Sequence, residues 1–162
     1  MVDAQVQRRM FAAPVRNAVL TLHIAASVGL LGDSAGFLAV AIRAAGNEDP
    51  TAVLEMARVL NMFATVFGIP LSFAALISGL VLGLGTKWGV VRYPWVIAKL
   101  TLIVSVMAVG GFMIGPALTT MLAGGAGGAK ILIAAAAYDV VALGVATGLS
   151  VFKPGARLGG RR

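Results

Sequence analysis

Four stretches of almost unbroken apolar residues set the pattern of this chain: about Ala18 to Ile42, Val59 to Leu84, Trp95 to Ile114 and Ile131 to Phe152. Each is near or above the ~20 residues that an α-helix needs to cross ~30 Å of hydrocarbon. The pattern predicts an all-α membrane protein, a bundle of four transmembrane helices occupying residues 18–152. Residues 1–17 carry Val2, Val6, Met10 and Phe11 at helical spacing among polar and basic residues, which suits a short segment lying on the membrane surface. Residues 153–162 form a basic tail. Nothing is left over for a soluble domain.

Breaks in the apolar pattern place the turns. Gly46-Asn47-Glu48-Asp49-Pro50 reads as a turn followed by a helix start, with Asp49 as N-cap and Pro50 in the first helical position. The second helix is then expected to start outside the membrane and to enter it near Val59, with Val53, Met56, Ala57 and Leu60 as its apolar stripe. Pro70 has no N–H, so it leaves the Val66 carbonyl without a helical donor and favours a kink, which Thr65 or Ser72 could help to satisfy. Gly110-Gly111, Gly115 and Pro116 predict a bend at the end of the third span, and Gly124-Gly125-Ala126-Gly127-Gly128 a flexible loop. Trp88, Tyr93 and Trp95 match an interfacial aromatic belt.

Composition agrees with the pattern: of 162 residues, 59% are hydrophobic and only 12% charged, against about a quarter charged in soluble domains. The first apolar run follows Arg8, Arg9 and Arg16, but it exceeds the ~7–15 residues of a signal-peptide core and reads as a retained span. Ten of the thirteen basic residues (Arg8, Arg9, Arg16, Lys87, Arg92, Lys99, Lys153, Arg157, Arg161, Arg162) fall on one side of the predicted spans. Positive residues in short flanking segments stay inside, so both termini are expected in the cytoplasm and the chain in a bacterial inner membrane. The net charge of +7 then sets topology and meets anionic lipid headgroups, and nucleic acid is not an expected partner. The absence of cysteine excludes disulfides, Fe–S clusters and thiolate metal sites.

Candidate chemistry lies in the few polar residues of the spans. Asp33 stands at the centre of LLGDSAGFL, where an ionised carboxylate costs at least ~2.5–3.5 kcal/mol, so it is expected to face the bundle interior, to be paired, or to be protonated. Helix rise puts it about 13 Å from the outer boundary and Asp139 about 12 Å in, so the two acids could share a level near the midplane. Carboxylates brought close in a poorly solvated site hold a shared proton or a cation; two separate acids with local hydrogen bonds are the plainer alternative. His23, the single histidine, lies about 8 Å from the inner boundary and reads as a packed, hydrogen-bonded residue, a proton relay or a metal ligand. Lys99 sits at a similar depth, where its stem can snorkel to the interface.

Glycines four apart occur in every span: Gly32 with Gly36, Gly79 with Gly83, Gly111 with Gly115, and Gly144 with Gly148. Such pairs let another helix approach closely, and they predict a tight bundle that associates with a second copy or with a partner membrane protein.

No phosphate loop, HExxH, GxSxG or cysteine zinc pattern is present, which disfavours a soluble-type enzyme. No cofactor is expected. A histidine–methionine haem site and Cu(I) on methionine remain open, and the metal ligands, if any, are unassigned.

The segments Ala75-Leu76-Ile77-Ser78-Gly79-Leu80, Gly83-Leu84-Gly85-Thr86-Lys87-Trp88-Gly89 and Trp95-Val96-Ile97-Ala98-Lys99-Leu100, with Leu22-His23-Ile24 and Gly32 in the first span, resemble uncharacterised four-span integral membrane proteins of actinobacteria. More distantly they are similar to the copper-resistance-D-like membrane group. The resemblance implies a four-span fold and transfers no activity. Three functions remain in play: a small transporter with a proton or cation site at Asp33, Asp139 and His23; a scaffold or accessory subunit that binds other helices; and a haem or quinone redox protein.

Overall fold

The computed structural model describes residues 12–85, 93–125 and 127–152. Among these residues there is no strand. Four helices are long and apolar enough to cross a membrane: α1 (Ala13–Ala45), α2 (Pro50–Gly85), α3 (Pro94–Leu122) and α4 (Gly128–Phe152). The expected four-helix membrane fold is therefore present. The surface segment expected before the first span is partly absorbed, because residues 13–17 already belong to α1. The remainder of that segment, the aromatic Trp88, and the basic tail lie outside the described residues.

Asp49 caps α2 as its position predicts: its carboxylate accepts the Thr51 N–H, and Pro50 takes the first helical position. Before Pro70, where a kink is expected, the winding of the helix changes. Phe63–Gly68 is π-helical, with the Ile69 N–H reaching back five residues to the Ala64 carbonyl. The Thr65 hydroxyl bonds to the Asn61 carbonyl and that of Ser72 to Ile69, so neither serves the Val66 carbonyl as the sequence had suggested.

A second π-helical segment, Gly110–Ile114, precedes Pro116 in α3. Here the helix does not end near Ile114 but runs on to Leu122, with the Thr119 and Thr120 hydroxyls bonded to the Gly115 and Pro116 carbonyls. Of the glycine-rich loop, Gly124 and Gly125 form a tight turn and Gly128 already opens α4. Gly124 takes a φ of 83°, which favours glycine, and the Gly124 and Gly125 N–H groups bond to Met121 and Thr120. At Gly128 a side chain would run into the Ala117 carbonyl, so α4 can start against α3 only with glycine there.

α1 packs along both α2 and α4, and α3 along α4, so the helices close a bundle. The end carrying Ala45, Pro50, Leu122 and Gly128 is called the Arg43 end, and the opposite one, with Ala13, Gly85, Pro94 and Phe152, the Lys99 end. Two apolar clusters fill the interior. The larger, toward the Arg43 end, joins Phe37, Ala41, Leu60, Ile114, Leu118, Met121 and Leu132 with small alanines from all four helices. A smaller one joins Leu30, Val106, Ala142 and Leu143 nearer the Lys99 end.

Leu60 and Leu132 are fully buried, whereas Val141 is 64% exposed and faces lipid. Truncating Leu60 or Leu132 to alanine is expected to cost about 2–5 kcal/mol, and Val141→Ala under about 0.5 kcal/mol. Thermal unfolding in one detergent, compared across the three variants, checks this order.

Candidate functional site in the bundle core

Contacts between α1 and α2 fix the register of the site. Along α1, His23 meets Ala75 and Ser78, a side chain at Gly29 would touch Leu71, one at Gly68 would touch Asp33, and one at Gly36 would touch Phe63. The series is antiparallel and continuous. On the other side of α1, the two apolar clusters pair Leu30 with Ala142 and Leu143, and Phe37 with Ala135 and Ala136. Asp33, Ser34 and Asp139 fall between these clusters. So do Gly68 of α2 and Gly110 of α3, each at one edge of its π-helical segment.

The two acids thus occupy one layer. They are not bonded to each other or to any other side chain: Oδ1 of Asp33 and Oδ1 of Asp139 are buried without a hydrogen-bond partner among the described residues. Asp139 is only 5% exposed and has Ala135, Ala136, Ala142 and Leu143 as its buried neighbours on α4. Asp33 is half-buried, and its Oδ2 lies 3.3 Å from where a Gly68 Cβ would stand. Glycine at 68 therefore makes the space for the carboxylate. A buried oxygen without a partner costs about 1–3 kcal/mol, more if charged, so the layer favours a bound proton, a water or a cation on these oxygens.

His23 stands apart from the acids, ten residues along α1 and about 15 Å away toward the Lys99 end. Its Nδ1 lies 3.1 Å from the Ala75 carbonyl and 3.0 Å from Ser78 Oγ. The carbonyl only accepts, so Nδ1 carries the hydrogen and Nε2 presents its lone pair. The ring is seated against Gly79, where a Cβ would come within 3.1 Å of the imidazole. Lys99 of α3 stands near enough for its charge to act on the ring, and its ammonium lies 5.9 Å from the centroid of Trp95. Tyr138 faces away from Asp139 and shares a 2.6 Å hydrogen bond with Ser105, tying α4 to α3 at the lipid side.

The glycines divide by what meets them. Gly36 receives the Phe63 ring and Gly79 the His23 ring. Gly83 is buried, and Gly115 faces only its own helix. Gly32, Gly111, Gly144 and Gly148 have open space where a Cβ would stand. No group of three or more metal-ligating side chains occurs among the described residues. Sequence reasoning did not single out Gly68 or the two π-helical segments; the signals were Pro70 and Pro116, each following closely on a glycine.

A family model described as predicted integral membrane protein (DUF2269) matches residues 17–152, that is, all four helices. The chain belongs to this DUF2269 family. The match continues through α4, so the layer formed by Asp33 of α1 and Asp139 of α4 lies wholly within the DUF2269 region. No curated protein and no solved structure matches the chain.

Gly79→Leu is expected to displace the imidazole and lower the melting temperature, whereas Gly144→Leu leaves the monomer fold intact. Circular dichroism melts of the two variants, with size-exclusion profiles, test the difference.

Proposed function

We propose that this chain is a small proton- or cation-coupled transporter of the bacterial inner membrane, with both termini cytoplasmic and Asp33 and Asp139 as its exchange site. One observation carries the reading: two carboxylates share a layer inside the bundle, each with a buried oxygen that no donor among the described residues serves. An acid kept in such a place without a partner is a functional group by default, because a well-packed apolar residue would be cheaper. Both π-helical segments border this layer, and π turns recur where helices serve a site.

Infrared difference spectra in lipid test the proposal, comparing the native protein with Asp33→Asn and Asp139→Asn. The expected result is a protonated carboxyl band that titrates and that one of the two variants removes. Asp139→Asn is expected to leave the melting temperature unchanged or raised while abolishing proton or cation flux into vesicles. A variant that melts much lower with flux intact would assign Asp139 to packing.

A scaffold role is the second reading, favoured by the open Gly144 and Gly148 on α4. Under it, Gly144→Leu removes a copurifying membrane partner or a second copy and leaves flux untouched.

A further inference from the structure

We infer that the acid layer exchanges protons with one face of the membrane only, the face at the Lys99 end, and that His23 stands on the route. The inference rests on the exchange-site reading of Asp33 and Asp139. Its evidence is separate: the distribution of polar and apolar groups along the bundle axis.

Every buried polar side chain among the described residues lies in the acid layer or on its Lys99 side. Ser34 and Asp139 are in the layer; Ser72 and Ser78 follow it along α2 toward the Lys99 end. Beyond the layer in the other direction every buried side chain among the described residues is apolar. Phe37, Ala41, Leu60, Ile114, Leu118, Met121 and Leu132, all buried, come from all four helices and close the Arg43 half. A file of water has no polar partner there, and a dry apolar constriction blocks proton movement. On the Lys99 side the sealing cluster is small, with only Leu30, Val106, Ala142 and Leu143 buried in it.

The charged groups agree with this division. From α1 the route meets His23, from α3 Lys99, and from α4 only Asp139 itself, while α2 offers the Ser72 and Ser78 hydroxyls. Glu55 and Arg58 of α2, Arg43 of α1 and Lys130 of α4 are all exposed on the outside of the Arg43 half, alongside the apolar plug and not within it. His23 has the right form for a relay. Nδ1–H stays on the Ala75 carbonyl and Ser78 Oγ, so a proton is taken up at Nε2 and released from Nε2. Water carries it the remaining distance: the Nε2–H bond breaks, each water gives up one proton for the one it takes, and one O–H bond forms on the carboxylate.

The test uses the full chain in vesicles at less than one copy each. They are captured through a tag after Arg162, which puts the Lys99 end outward, or through a tag in the Gly124–Gly125 turn, which puts the Arg43 end outward. Interior and exterior are buffered separately, and a membrane-permeant carbodiimide, which adds to protonated carboxyls, is read by mass spectrometry as an adduct on Asp33 or Asp139. The adduct is expected to follow exterior pH in the first set and interior pH in the second. His23→Asn keeps a donor for Ala75 but lacks Nε2, and it is expected to delay the response without changing its side. An adduct that follows the pH at the Arg43 end, or at both ends equally, overturns one-sided access and leaves the exchange site standing. An adduct that responds to neither side overturns both.

Discussion

Hydrocarbon gives a peptide group no water to bond to, so every N–H and C=O in the span must find its partner inside the protein. Continuous helices meet that demand, and the rest of this molecule follows from keeping them continuous. Pro70 and Pro116 each remove a donor in mid-helix. In both places the chain widens into a π turn just before the proline, and the helix goes on. In α3 the Thr119 and Thr120 hydroxyls bond to the Gly115 and Pro116 carbonyls, and the helix runs on to Leu122. The helices widen there but do not stop.

With the backbone served, side chains decide what the interior holds. Between the helices of a membrane bundle there is little hydrophobic drive, and close packing of small residues takes its place. Toward the Arg43 end this packing is dense: alanines from α1, α2, α3 and α4 alternate with Leu60, Leu132 and Phe37. Elsewhere glycine is used to seat a particular side chain, the His23 ring at Gly79 and the Asp33 carboxylate at Gly68. The same property that lets helices approach closely here makes room for polar groups, which is why the interior is not uniform.

The fold was legible because length and hydropathy alone determine four spans, and the Asp49-Pro50 signal marks a helix start with a local mechanism. The end of α3 was not legible, since glycines and a proline that end a helix in water are tolerated when neighbouring groups restore the lost bonds. The level of Asp33 and Asp139 could be read from helix rise, as both depths are counted from span ends. Their surroundings could not. That Asp33 faces a π-helical glycine, and that the His23 ring is seated against Gly79, depend on helix rotation, which periodicity does not encode in a helix apolar on all sides.

The two π turns and the two acids fall at the same height, and this coincidence has a physical content. A π turn loosens the ladder of helical hydrogen bonds at one point, so α2 and α3 each have a soft joint beside the layer while their ends stay regular. Titrating an acid in that layer changes how strongly it must be solvated. On the exchange-site proposal any such response falls at these joints, because the dense cluster toward the Arg43 end resists a change of spacing. On the exchange-site proposal, the charge of the layer and the winding of α2 and α3 therefore meet in one set of residues, with the π turns at its edge.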